Sequence, residues 1–380
     1  MKAPSTNSRP TPGASVLGAS VLFVALLGGT AVLCGCEKNA ASNDTRVAAE
    51  TTPNQPKTNP GTKTSANRQF SSVERSQLRE RAFAVLNAAG NGTAAEGRAN
   101  AIEAMIDSPK RLEPLARRGL LDTNLGVRAV AATAVGKARL NNLVDMVRPL
   151  TADTSPMVRI AATYALAQCG QNPNVEALAQ LLRDPSPLVR AQTAYVLGEM
   201  GNKSADLMLR DASRDSMPMA DPGAVRLMRL QLCEAMVKLG NRDAVEEIRA
   251  ALYPSRPEDL EATVLAIQIV GQVNDEPSAW RLKCLALDSD PQRGMMPPEV
   301  RLAAAAVLAK IGRPKGDGAF MADAYYQSPE APLRAQSAAV YGATGRAATL
   351  PNLEVLMADQ DSLVKIAAAA AIVKVTGGLD

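Results

Sequence analysis

The chain has 380 residues, 46% of them apolar but only 3% aromatic, and 42 Lys and Arg against 38 Asp and Glu give a net charge of +4. The two signs are interspersed, so the charge does not argue for nucleic acid as a partner. There is no histidine, which removes the commonest general base, the Ser/His and Cys/His nucleophile pairs and every His-ligated metal site. With no Cys-x-x-Cys either, no catalytic residues, no metal and no cofactor are expected.

At the N-terminus, Lys2 and Arg9 precede an apolar run from Ala14 to Leu33 that ends in Leu33-Cys34-Gly35-Cys36. A charged start, an apolar stretch and a small residue at the cut make an export signal. The last four residues resemble a bacterial lipobox. That resemblance implies that Leu33 fits the lipoprotein signal peptidase, that Gly35 precedes the cut and that Cys36 carries the lipid, leaving residues 1–35 as signal peptide. The alternative is an uncleaved anchor, since the run is near the ~20 residues that cross a bilayer. Either reading puts the rest of the chain outside the cytoplasm on a membrane tether. By analogy with lipoprotein sorting in enteric bacteria, Glu37 in place of Asp points to the outer membrane, facing the periplasm.

Residues 36–70 are dominated by Asn, Thr, Pro, Ser, Ala and Lys without apolar periodicity, and read as a disordered linker. As a flexible coil its ends would stand about 30–35 Å apart. Ser71–Asn87 places Val73, Leu78, Phe83 and Leu86 at helical spacing and is expected to cap a folded unit spanning residues 71–380. Gly92-x4-Gly97 looks briefly like a phosphate loop, but Arg98-Ala99 replaces its Lys and Ser/Thr, and no strand precedes it.

A phrase then repeats. It reads Asp153-x4-Val158-Arg159-x-Ala161-Ala162 up to Gly170, then Asp184-x4-Val189-Arg190 up to Gly201. Arg128, Arg159 and Arg190 stand 31 residues apart, and the position returns at Arg229, Arg301, Arg334 and Lys365. The long gap before Arg301 holds one degenerate copy, centred near Leu260 and ending at Gly271. A fixed period in this range marks stacked repeats. In the copy from Asn174 to Gly201, Val175–Arg183 forms a first helix and Asp184-Pro185-Ser186-Pro187 breaks it. Ser186 is the expected N-cap, Pro187 suits the first helical position, and Gly201 permits a left-handed stop near Met200. Neither helix can bury its apolar face alone, so the pairs must stack.

Aligned on the Arg, the second helices keep an apolar seam one residue before it (Val158, Val189, Val300) and seven after (Leu166, Leu197, Leu308). The opposite stripe lies two, five and nine residues after the Arg. It includes Tyr164, Gln192, Tyr195, Gln231 and Glu234 and is expected to be exposed on a concave inner wall. Two insertions fall at the turns between paired helices. Ser213–Gly223 carries Met217 and Met219, and Asp288–Glu299 carries Met295 and Met296. They are either a lip that grips a partner or neutral loop growth with the methionines tucked down. Cys169, Cys233 and Cys284 are isolated thiols that fit buried apolar positions better than a disulfide framework.

The pattern Asp-x4-Val-Arg-x-x-Ala-Ala-x-Ala-Leu-x-x-x-Gly is similar to HEAT repeats, in particular the bacterial phycobilin-lyase HEAT-like type, over roughly residues 95–377. The resemblance implies an all-α, right-handed superhelix of about nine antiparallel helix pairs, HEAT- or armadillo-like. It also implies a structural ladder of Arg128, Arg159, Arg190, Arg229, Arg301, Arg334 and Lys365 with Asp122, Asp153, Asp184 and Asp359. The copies at Arg229 and Arg334 have Gly223 and Ser328 where the Asp would stand, so the ladder is expected to break there. HEAT enzymes such as the deoxyhypusine hydroxylases hold iron with His-Glu motifs, which this chain lacks. The expected function is a monomeric, membrane-tethered, non-catalytic scaffold for a protein partner. The alternatives are an accessory subunit of a lyase or other enzyme complex, and a binder of envelope polymer.

Overall fold

The computed structural model describes residues 68–287, 296–312 and 318–377. The signal sequence, Cys36, nearly all of the linker and Met295 lie outside the described residues. The described residues hold eighteen α-helices and no strand. In chain order they are α1 Ser72–Gly90, α2 Ala95–Ala104, α3 Pro109–Gly119, α4 Leu125–Ala138, α5 Val144–Val147, α6 Pro156–Gln168, α7 Glu176–Leu181, α8 Pro187–Met200, α9 Ala205–Arg214, α10 Pro222–Lys238, α11 Val245–Ala250, α12 Leu260–Gln272, α13 Ala279–Leu287, α14 Pro298–Ile311, α15 Ala319–Tyr325, α16 Ala331–Thr344, α17 Leu350–Met357 and α18 Ser362–Gly377.

Odd and even helices behave differently, and burial shows why. An even helix is covered almost all round: α8 is buried continuously from Val189 to Gly198, and α18 from Ile366 to Val373. An odd helix buries one stripe, such as Ala205, Leu209 and Ala212 of α9. Successive even helices pack on each other, as α4 on α6, α8 on α10 and α16 on α18, while each odd helix backs its own partner. The odd helices therefore form the outer layer. Seven of the large exposed apolar side chains lie on them: Val73, Leu207, Met208, Trp280, Leu287, Phe320 and Val355.

Proline and glycine place the breaks as expected. Pro156, Pro187 and Pro222 open their helices, and Gly201 closes α8 at φ 71°. The N-cap differs from expectation. The Ser186 hydroxyl caps nothing; instead Asp184 Oδ1 accepts from the Ser186 amide at 2.8 Å, so an Asx turn holds the bend. Asp122, Asp153 and Asp359 accept from the amide two residues on in the same way.

A second glycine position sets the spacing of the even helices. A Cβ on Gly136 would lie 2.9 Å from Ala165 Cα, one on Gly198 2.8 Å from Ala235 Cα, and one on Gly342 3.0 Å from Ala371 Cα. Each glycine stands eight residues after its helix's Arg, and each partner six after the next Arg or, for Ala371, after Lys365. Gly271 faces Val307 in the same relation at 3.0 Å. The degenerate copy is therefore α12, with Thr263 in the Arg position, bonded to the carbonyls of Ala251 and Asp259.

The stack turns until its ends meet. Helix α18 packs against α1 and α2, Ile366 fills the space in front of Gly97, and Glu354 of α17 accepts from Arg68 at 3.4 Å and from Arg81 of α1. Helix α1, expected to cap one end of the stack, is the first outer helix and is itself covered by the last inner one.

Candidate functional site

The repeated arginines are the first chemistry-bearing set. Arg128 donates to both carboxylate oxygens of Asp153 at 2.9 and 3.1 Å, while its third nitrogen donates to the carbonyls of Asp122 and Thr123. Arg334 treats Asp359 at 2.7 and 3.0 Å in the same way, and also bonds the carbonyls of Ser328 and Pro329. Each clamp ties the turn of one unit to the turn of the next. The missing Asp at Ser328 therefore does not break the ladder at Arg334, because the arginine reaches forward. Burial alone would raise the Asp153 carboxyl, but the Arg128 guanidinium and the Ser155 amide hold it below its ordinary value. For Asp359 the Arg334 bond itself is the leading cause of the lowering.

Two members of the ladder escape the sequence pattern. Arg98 clamps Asp122 at 2.7 and 2.9 Å and bonds the Gly92 and Thr93 carbonyls, which makes α2 the first repeat helix. Arg190 reaches Asp215 at 3.2 Å. Asp215 lies near the start of the Ser213–Gly223 insertion, ahead of most of the residues that displace the next Arg. Counting 25 residues forward from Arg190 finds it; counting six back from Arg229 does not.

Other expected members do not pair. Arg159 bonds the Asp153 and Thr154 carbonyls but no carboxylate, which leaves Asp184 to its Asx turn. Arg229 makes no hydrogen bond among the described residues, and Pro254, 25 residues on, offers it no carboxylate. Arg301 donates instead to the Ala286 carbonyl and the Tyr325 hydroxyl, Tyr326 standing where the Asp would be. Lys365 contributes only its charge near Asp359.

The inner wall is the second set, and here the expected exposure is corrected. Tyr164, Gln192, Tyr195, Gln231 and Glu234 are all buried, Glu234 to 1% exposure. The glycine contacts bring the even helices so close that residues two and five after the Arg are enclosed by their neighbours. Tyr164, for example, lies over Gly136. Curvature brings distant units together as well: Lys137 of α4 and Lys238 of α10 both stand over the Tyr195 ring, 5.7 and 4.9 Å from its centre. Lys238 donates to Glu199 at 2.7 Å, to Glu234, and to Gln272 at 3.3 Å, and Gln231 donates to Glu234 at 2.9 Å. Burial opposes the charge on Lys238, but Glu234 and Glu199 outweigh it and raise its pKa. Burial raises Glu234 against the pull of Lys238, and it raises Glu103 against the pull of Lys137. Asn100, Glu103, Gln192 and Gln336 each keep a buried polar atom without a hydrogen-bond partner.

The methionines divide. Met217 packs against the core, Met296 is 8% exposed, and Met219 stands 97% exposed on the loop between α9 and α10. Met217 and Met296 therefore fit the reading of methionines tucked onto the solenoid, while Met219 stands out from it. Cys169 and Cys233 are buried, Cys284 is half-buried, and all three are free thiols. Among the described residues no cluster of carboxylates and thiols could hold a metal ion, and no helix is long and apolar enough to cross a membrane.

Repeated helix pairs, alternate helices lining one wall and a ladder from turn to turn define an α-solenoid. The family model for HEAT repeats matches residues 111–197 and 144–218, so this stretch of the chain carries HEAT repeats. No curated protein matches it. Similar solved structures include an engineered protein at 16% identity, covering 81% of this chain and 92% of that one with a TM-score of 0.29. Human deoxyhypusine hydroxylase in complex with glycerol is similar at 18% identity, 70% and 96% coverage and a TM-score of 0.33. The CpcE–CpcF complex of phycocyanin lyase from Nostoc is similar at 20% identity, 70% and 94% coverage and a TM-score of 0.34. At those scores none of the three bears on function.

Proposed function

We propose that this protein is a non-catalytic scaffold, lipid-anchored through Cys36 in the bacterial cell envelope and facing the periplasm, that holds a protein partner on its outer edge. The observation that carries the partner reading is the fifth unit. Leu207 is 67% exposed, Met208 39% and Met219 97%, all on α9 and the loop that follows it. Met208 also lines a groove between α7 and α9 together with Arg183, Asp211 and Asp215. Adaptable apolar side chains beside a charged groove suit a protein surface. The inner-wall residues expected to make the contact are buried, which favours the outer side. The lipobox and the long polar segment after it support the tether.

The test is cross-linked capture of the full-length protein from its own cells, wild type against Leu207→Ser/Met208→Ser/Met219→Ser. A partner recovered with the wild type and lost with the triple variant supports the reading. Equal recovery removes it, and copurified turnover would favour the accessory-subunit alternative. Metabolic fatty-acid labelling that fails to depend on Cys36 would remove the anchor.

A further inference from the structure

A cavity of about 280 Å³ opens between α13 and the end of α14, apart from the α9 surface, and the chain's single tryptophan lines it. Glu276, Trp280 and Lys283 form one wall, and Leu308, Ile311 and Gly312 form the other. Trp280 is 70% exposed, so most of a large apolar ring faces solvent at the rim of the cavity.

Local structure explains why the ring points out. Helix α13 buries Arg281, Leu282, Leu285 and Ala286 against the stack. Glu276, Trp280 and Lys283, four and three residues apart, share its other face. The helix cannot roll to bury the indole. Arg281 donates to the Leu252 carbonyl at 3.1 Å, and its guanidinium lies 4.1 Å from the centre of the Tyr253 ring. The turn before the helix is pinned as well. Arg249 donates to both carboxylate oxygens of Asp275 at 2.9 and 2.5 Å, and the Ser278 hydroxyl donates to Asp275 at 2.6 Å. An aromatic plane flanked by two polar side chains is therefore held in place before any ligand arrives, which lowers the cost of binding.

The lining selects the ligand. Glu276 disfavours an anion and Lys283 disfavours a cation. A neutral molecule whose edge both donates and accepts hydrogen bonds satisfies the two together. Trp280, Leu308 and Ile311 require that the same molecule also present an apolar face. A pyranose ring combines these features, with C–H groups on its faces and hydroxyls round its edge. We propose that this cavity binds one neutral sugar ring, stacked on Trp280 and hydrogen-bonded through its hydroxyls to Glu276 and Lys283. The ring is either a free sugar or one residue of a glycan, since the cavity opens to solvent.

The test is the fluorescence of full-length protein in a polyoxyethylene detergent, which carries no sugar. With one tryptophan in the chain, the signal reports on Trp280 alone. Glucose, mannose and N-acetylglucosamine are titrated in turn. At least one should shift the emission to the blue with half-saturation at about 1 mM, the affinity that ordinary ligand efficiency gives a molecule of this size. Sorbitol has the hydroxyls without the ring face, and glycine has both charges without either, so neither should shift it. Lys283→Met should raise the half-saturation concentration about tenfold, as for loss of a hydrogen bond to a charged group. Glu276→Ala should act in the same direction, and both changes fall on exposed positions. Tighter binding of a trimer of the preferred sugar than of the sugar itself assigns the site to a glycan, and equal or weaker binding assigns it to the free sugar; both support the site. No saturable shift with any of the three sugars, an equal shift with sorbitol or glycine, or half-saturation unchanged in both variants overturns it.

Discussion

Arg334 holds Asp359, 25 residues further on, with two hydrogen bonds of 2.7 and 3.0 Å, and the same arginine closes its own turn through the Ser328 and Pro329 carbonyls. Arg159 keeps the second function without the first. The two residues together separate the contribution of the ion pair from that of the turn.

Asp359→Asn should therefore cost about 2 kcal/mol, as for loss of one partner of a partly buried charge pair. Asp184→Asn, whose carboxylate meets no arginine, should cost less than about 1 kcal/mol. The pH dependence has a definite sign. Asp359 is held below its ordinary value in the folded state, so its contribution is present above about pH 4 and fades as pH falls through the lower folded pKa. Urea unfolding from pH 7 to pH 2.5 should show the gap between wild type and Asp359→Asn closing at the acid end.

Gly342→Ala should destabilise the protein by about 2 kcal/mol, because the new Cβ meets the Ala371 backbone and the inner helices must part. Helix propensity taken alone predicts the opposite, a gain of about 1 kcal/mol. Thermal unfolding distinguishes the two, and a rise in Tm would show that this close approach does not set the helix spacing.

An open stack of repeats frays at its ends. In this ring α1 and α18 cover one another, so their amides should exchange with hydrogen about as slowly as those of α8 and α10. Ile366→Asp should speed exchange in α1 and α18 together, while α8 changes far less. Fast exchange in α1 of the wild type would argue against closure.

Lys238→Met should cost about 3 kcal/mol or more at pH 8, since it strands the buried carboxylate of Glu234. Burial already raises the Glu234 pKa, and without Lys238 it rises further. Lowering the pH then protonates Glu234 and relieves the penalty, so the deficit should shrink from pH 8 to pH 5. A deficit that is constant over this range would mean that packing, and not charge, is what Lys238 supplies.

The helix pairs were legible because Pro187, Gly201 and the Val189–Leu197 seam act within one unit. The ladder was partly legible. Asp153 and Asp359 stand in the motif, whereas Asp215 was hidden by lying within an insertion, and Arg98 by a loop with an accidental likeness to a phosphate motif. The inner wall was misread. Tyr164 and Gln192 lie on a polar stripe, and polarity alone suggested exposure.

The period of the arginines, a local property of the chain, determined by itself that this protein is a stack of helix pairs. The tertiary structure alone decided that the stack closes on itself and that its inner stripe is buried. The reason is cumulative. Each unit adds a small rotation, set by how closely residues such as Gly136 and Gly198 admit the next helix, and only the sum of those rotations over the whole chain brings Ile366 back to Gly97.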